Sequence, residues 1–220
     1  AMTVAGGASA KQLTPLWQLD NFDQPESVVP SSNGKTLYVS NINGAPTELN
    51  GKGYISKLSI DGKVIKQHWL DGMNAPKGLA ISGDLLYVAD MQQVHVVSLS
   101  QKKIIKQYQV QQAKMLNDIT IADDGSVYIS DLLGGGIYRI KDQNITQWFT
   151  HNLLPHPNGL SWKKDKLMIA SWGLGMNNDF TTQTPGSLYN IDPENPNLIP
   201  ITAAHQLGNL DGIAFAKGAI

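Results

Sequence analysis

The sequence predicts an all-β fold, a propeller of four-stranded antiparallel blades, and three observations predict it. One short motif recurs five times along 220 residues, and a tight-turn signal follows each of the first four copies in step. The runs between turns alternate with period two, while no stretch sustains the 3.6-residue period of a helix.

The motif opens the first strand of each repeat. Its copies are Pro25-Glu26-Ser27-Val28, Pro76-Lys77-Gly78-Leu79, Leu116-Asn117-Asp118-Ile119, Pro157-Asn158-Gly159-Leu160 and Leu210-Asp211-Gly212-Ile213, at spacings of 51, 40, 41 and 53 residues. Seven residues after the second member comes a turn: Asn33-Gly34, Gly83-Asp84, Asp124-Gly125, and Asp165 among lysines. Such residues tolerate the positive φ of a hairpin turn. A second strand follows, over Leu37–Asn41, Tyr87–Asp90, Val127–Asp131 and Leu167–Ser171. Third and fourth strands read from Gly53–Leu58 and Val64–Trp69 in the first repeat, and from Gly136–Ile140 and Ile145–Phe149 in the third. The fourth repeat carries the longest insertion, Ser171 to Ser187, expected as a loop covering a pocket.

This gives four full repeats and the opening strand of a fifth, with Leu13–Leu19 able to add one strand to the closing blade. The expectation is a single propeller domain over residues 11–220, a fragment or shortened copy of a longer ring, preceded by a tail over 1–10. In that tail Ala8-Ser9-Ala10 resembles the end of a secretory signal, which points to a periplasmic or secreted protein; an expression scar on a cytoplasmic one is the other reading.

Composition narrows the chemistry. Lys plus Arg number 17 against 18 Asp plus Glu, the net charge is −1, and Arg139 is the only arginine. That balance argues against nucleic acid or an anionic membrane surface as partner. With no cysteine, thiolate metal sites and cysteine nucleophiles are excluded, and the redox compartment is unreadable. No apolar run approaches the roughly 18 residues of a membrane span. A small-molecule substrate is the partner that remains; the sequence leaves the oligomeric state open.

Equivalent positions in a propeller lie around one axis, so the second motif members form a ring: Glu26, Lys77, Asn117, Asn158 and Asp211. Four of the five offer oxygen acceptors, two of them carboxylates. That set suits a hard divalent cation, Ca²⁺ before Mg²⁺, and the lack of His and Cys disfavours a typical zinc or copper site. Each residue alone also reads as an ordinary turn or strand-start group. Lys77 is expected to turn its stem to solvent, or else to bind an acidic group.

These segments resemble the SMP-30/gluconolactonase/LRE family of six-bladed propellers, with diisopropyl-fluorophosphatase and paraoxonase as more distant relatives. Pro25-Glu26-Ser27 resembles the family's glutamate segment, and Leu116-Asn117-Asp118 its first asparagine segment. Pro157-Asn158-Gly159-Leu160-Ser161-Trp162 resembles the second asparagine segment and Leu210-Asp211-Gly212-Ile213 the aspartate segment. The resemblance implies a divalent metal on Glu26, Asn117, Asn158 and Asp211, with Ca²⁺ first and Zn²⁺, Mn²⁺ or Mg²⁺ also possible. It implies hydrolysis of a lactone or related ester, with Asp211 as base or nucleophile and Asn117 beside it. Asp118, Lys77, His156 and Trp172 are weaker candidates for supporting the site or contacting substrate. Met115 stands where the sugar-lactonase branch typically has an arginine, which argues against an aldonolactone substrate. The alternative is a binding module: Tyr87-Val88-Ala89-Asp90 also resembles the repeat of NHL-type interaction propellers.

Overall fold

A computed structural model describes residues 14–201, 203 and 205–215. The tail expected over 1–10 lies outside the described residues. Four four-stranded antiparallel sheets follow one another along the chain. Blade 1 is β1 (Pro25–Pro30), β2 (Thr36–Asn41), β3 (Gly53–Ser59) and β4 (Val64–Met73). Blade 2 is β5 (Pro76–Ser82), β6 (Leu85–Asp90), β7 (Gln93–Ser98) and β8 (Lys103–Gln109). Blade 3 is β9 (Leu116–Ile121), β10 (Val127–Asp131), β11 (Ile137–Lys141) and β12 (Asn144–Phe149). Blade 4 is β13 (Pro157–Lys163), β14 (Lys166–Ser171), β17 (Leu188–Asp192) and β18 (Asn195–Pro200). Among the described residues there is no α-helix.

The turns form where the sequence places them. Gly34, Gly62, Gly83 and Gly125 all have positive φ, and between β13 and β14 Lys164 and Asp165 take φ of 51° and 57°. A two-residue loop with positive φ at both positions matches the twist of the strands it joins.

Within the ring, β1 lies against β5, β5 against β9, and β9 against β13. Three apolar clusters fill the seams between successive blades. Tyr38, Ile55 and Trp69 meet Leu86, Val88 and Val97 at the first. Ala80, Ala89 and Val94 meet Ile119, Ile129 and Tyr138 at the second. Tyr128, Ile137 and Phe149 meet Leu160, Leu167 and Ile169 at the third. Each fully buried Ile or Leu contributes about 2 kcal/mol of transfer free energy, so the seams hold the blades in order.

Three expectations are corrected. Residues 14–19 form no strand; instead Trp17 donates from Nε1 to the Ile60 carbonyl at 3.1 Å and covers the turn at Gly62. The 171–187 insertion is not an open loop but carries a hairpin, β15 (Gly173–Met176) with β16 (Thr182–Pro185). The fifth motif, Leu210–Ile213, packs beside β13 without forming a strand. Its carbonyl at Asp211 comes so close to Gly159 that no side chain fits between them.

Candidate functional site

The same irregularity interrupts the first strand of all four blades. Two residues face one across the β1–β2, β5–β6, β9–β10 and β13–β14 ladders. The doubled residues are Glu26-Ser27, Lys77-Gly78, Asn117-Asp118 and Asn158-Gly159. A bulge of this kind re-aims a side chain out of the regular pleat. The second motif member sits in it each time, which is why the repeat generates a ring.

The four bulges are of two kinds. In blades 1 and 3 a serine hydroxyl across the ladder accepts the N–H: Ser40 from Ser27 at 3.0 Å, Ser130 from Asp118 at 2.9 Å. Blades 2 and 4 have Ala89 and Ala170 there, opposite Gly78 and Gly159. At those glycines the neighbouring segment approaches closely; a Cβ on Gly78 would lie 2.6 Å from the Asp118 Cα. The loops leading into the ring are held by strand-end carboxylates. Asp90 accepts the N–H groups of Asn74 and Ala75, and Asp131 those of Lys114, Met115 and Gly134. Asp90 also pairs with buried His95 at 2.8 Å. Burial works to raise its pKa, but His95 and the two N–H groups outweigh this and hold it below the ordinary carboxylate value.

Glu26, Asn117, Asn158 and Asp211 line one cavity of about 590 Å³, together with Asp118. Asn117 donates from Nδ2 to Asn158 Oδ1. Asn158 in turn donates to Asp211 Oδ1 at 3.0 Å and to the Leu210 carbonyl at 3.2 Å. Asp118 joins blades 3 and 4: its Oδ2 accepts the Leu160 N–H at 2.7 Å and its Oδ1 the Ile119 N–H at 2.8 Å. Desolvation raises the Asp118 pKa to about 6, against the pull of those two N–H groups and with a further push from Asp211. Glu26 is raised to about 8, by desolvation first, then by the charges of Asp118 and Asp211, with Lys77 opposing. Glu26 also keeps water contact, which moderates that desolvation.

Lys77 does not reach solvent, contrary to expectation. It is 1% exposed, and its Nζ donates to the Ala75 carbonyl at 2.8 Å beside Met91 Sδ at 3.5 Å. His156 and Trp172 are not among the residues lining the cavity. The His156 ring is bonded to the Leu132 carbonyl at 2.8 Å, and Trp172 Nε1 donates to the Phe180 carbonyl at 2.8 Å. Trp172 belongs to an apolar cluster with Ile42, Met91, Met115 and Leu132 that sequence reasoning missed. Its signal was available: Ile42, Met91, Leu132 and Trp172 each directly follow the strand-end residue of a second strand. Among the described residues no three His, Cys, Asp or Glu side chains close into a ready metal cluster, so any cation here depends on the asparagine oxygens.

No family model matches the chain. No curated protein matches it either. Solved structures do. A streptogramin B lyase structure is 18% identical with a TM-score of 0.63, over 89% of this chain and 60% of that one. Hydrazine synthase of Kuenenia stuttgartiensis is 20% identical with a TM-score of 0.61, over 82% and 51%. A nidogen/laminin complex is 18% identical with a TM-score of 0.59, over 83% and 66%. The chain thus spans between half and two thirds of the length of these structures. At such identities the likeness shows the fold alone, and with the four sheets it defines the class: this chain is a β-propeller.

Proposed function

We propose that the channel ring is the centre of a divalent-cation-dependent hydrolase acting on a lactone or related ester. One observation carries the reading. Glu26, Asn117, Asn158 and Asp211, from motif copies far apart in sequence, line a single cavity and are partly linked by hydrogen bonds. The resemblance of the same four positions to the SMP-30/gluconolactonase/LRE ligand set supports it.

The donor chemistry fits a hard cation. All the side chains offer oxygen, and among the described residues the carboxyl groups of Glu26, Asp118 and Asp211 have the Lys77 ammonium set against them. A divalent ion, Ca²⁺ first, would take the place of the proton that Glu26 otherwise holds up to about pH 8. Glu26 and Asp211 would hold it with the amide oxygens of Asn117 and Asn158, after the hydrogen bond between the two amides opens. A cation there supplies Lewis-acid polarisation of an acyl carbonyl. Asp211, with Oδ1 engaged by Asn158, keeps Oδ2 to take a proton from water or to attack the carbonyl. Asp118 fixes the spacing of Asn117 and Asn158 by tying β9 to β13.

Calorimetric titration with Ca²⁺, paired with turnover of aliphatic and aromatic lactones and esters with and without a chelator, tests the reading. Wild-type protein is expected to bind one cation and lose turnover on chelation. Asp211→Ala should lose binding and at least about a hundredfold in turnover. Turnover indifferent to the chelator overturns the reading, and neither binding nor turnover returns the chain to the interaction-module alternative.

A further inference from the structure

Lys77 stands at the one ring position that offers no oxygen, and it is fully enclosed. A lysine at a channel normally carries its ammonium to water along a flexible stem. This one instead ends against the Ala75 carbonyl and Met91 sulfur, beneath the apolar cluster of Ile42, Met91, Met115 and Leu132. Among the described residues no carboxylate lies within 4.0 Å of its Nζ. A buried ammonium without an ion-pair partner is costly unless a wider field of negative charge holds it. The field is there: Glu26 and Asp90 both act on it, and they offset part of the desolvation that brings its pKa down to about 8. Asp90 is already satisfied by His95 and two backbone N–H groups. Glu26 has no hydrogen bond or ion pair among the described residues, and besides water it is the charge of Lys77 that opposes the rise of its pKa.

We propose that Lys77 is the resident cation of the ring, a fixed ammonium that balances one carboxylate and holds down the affinity of the site for a divalent ion. This rests on the cation reading of the ring. It makes Lys77 a positioning residue for charge, with no contact to the reacting atoms.

The test replaces Lys77 with an apolar side chain of similar length. Lys77→Met should bind Ca²⁺ about tenfold or more tightly than wild type, because a like charge near the ion is gone. Ca²⁺ should also raise its melting temperature by a larger increment than in wild type. The double variant Lys77→Met/Glu26→Gln removes a carboxylate ligand along with the ammonium and should lose most of that gain in affinity. A folded Lys77→Met protein that binds Ca²⁺ no tighter than wild type overturns the role of Lys77 and leaves the cation reading standing. No binding by either protein overturns both. If Lys77→Met fails to fold, folding of the double variant supports the charge-balance role, and failure of both variants shows that the lysine serves only packing.

Discussion

Gly78 and Gly159 are glycine because the next segment leaves no room for a side chain. Both φ values are ordinary, so the constraint is contact. A Cβ on Gly78 would sit 2.6 Å from the Asp118 Cα and 2.7 Å from the Asn117 carbonyl, in the seam between blades 2 and 3. One on Gly159 would collide with the Asp211 carbonyl, in a segment with only one described neighbouring blade. Both contacts are with backbone, so relief needs a whole segment to shift rather than a side chain to turn. The two substitutions therefore separate stability from the site. Gly78→Ala is expected to cost about 3 kcal/mol, the upper end of overpacking, and to lower the urea midpoint. Gly159→Ala should shift the midpoint less, since the Leu210–Ile213 segment can move away, yet it should weaken Ca²⁺ binding about tenfold or more. Equal midpoints for the two variants would contradict this.

The second strands do more than pair. In blades 2 and 3 the second strand ends in an aspartate that fastens the loop entering the first strand of the same blade, and in blade 3 the fastening is most complete. Removing the carboxylate with Asp131→Ala leaves the N–H groups of Lys114, Met115 and Gly134 without their acceptor. A cost of about 3 kcal/mol is expected in urea denaturation, with Asp131→Asn recovering part of it. Ser130→Ala, which frees the N–H and a long contact to the carbonyl of Asp118, should cost about 1 kcal/mol. The recurrence of these strand-end residues was legible in the sequence, as were the strands and turns, because alternation and Asn-Gly or Asp-Gly are local signals. The bulges were not: Pro25-Glu26-Ser27-Val28 reads as continuous strand, and only the facing ladder shows that two residues oppose Ser40. The burial of Lys77 was equally hidden. It depends on Met91 and Ala75 closing over the stem, and on the carboxylates of Asp90 and, from the neighbouring blade, Glu26. The β15–β16 hairpin escaped because Gly173–Met176 and Thr182–Pro185 are four residues each, too short to display a period.

At the scale of the molecule the ring is protected unequally. The first strands of blades 2, 3 and 4 are largely buried, whereas β1 is exposed at most positions. Blade 1 packs on one described neighbour and blades 2 and 3 on two. Amide hydrogens of β1 should therefore exchange faster than those of β5 and β9, through openings that leave the inner seams intact. A cation bound by Glu26 and Asp211 would tie the first blade to the last motif copy, two segments that no shared sheet connects. Openings that separate them would then carry the cost of releasing the ion. With Ca²⁺ at about 100 times its dissociation constant, that cost is about 2.7 kcal/mol, a slowing of about a hundredfold. Hydrogen–deuterium exchange followed by mass spectrometry is expected to show this slowing at residues 25–28 and 210–213 together, with little change in β6 or β7. Slowing at only one of the two segments would mean that the ion does not bridge them.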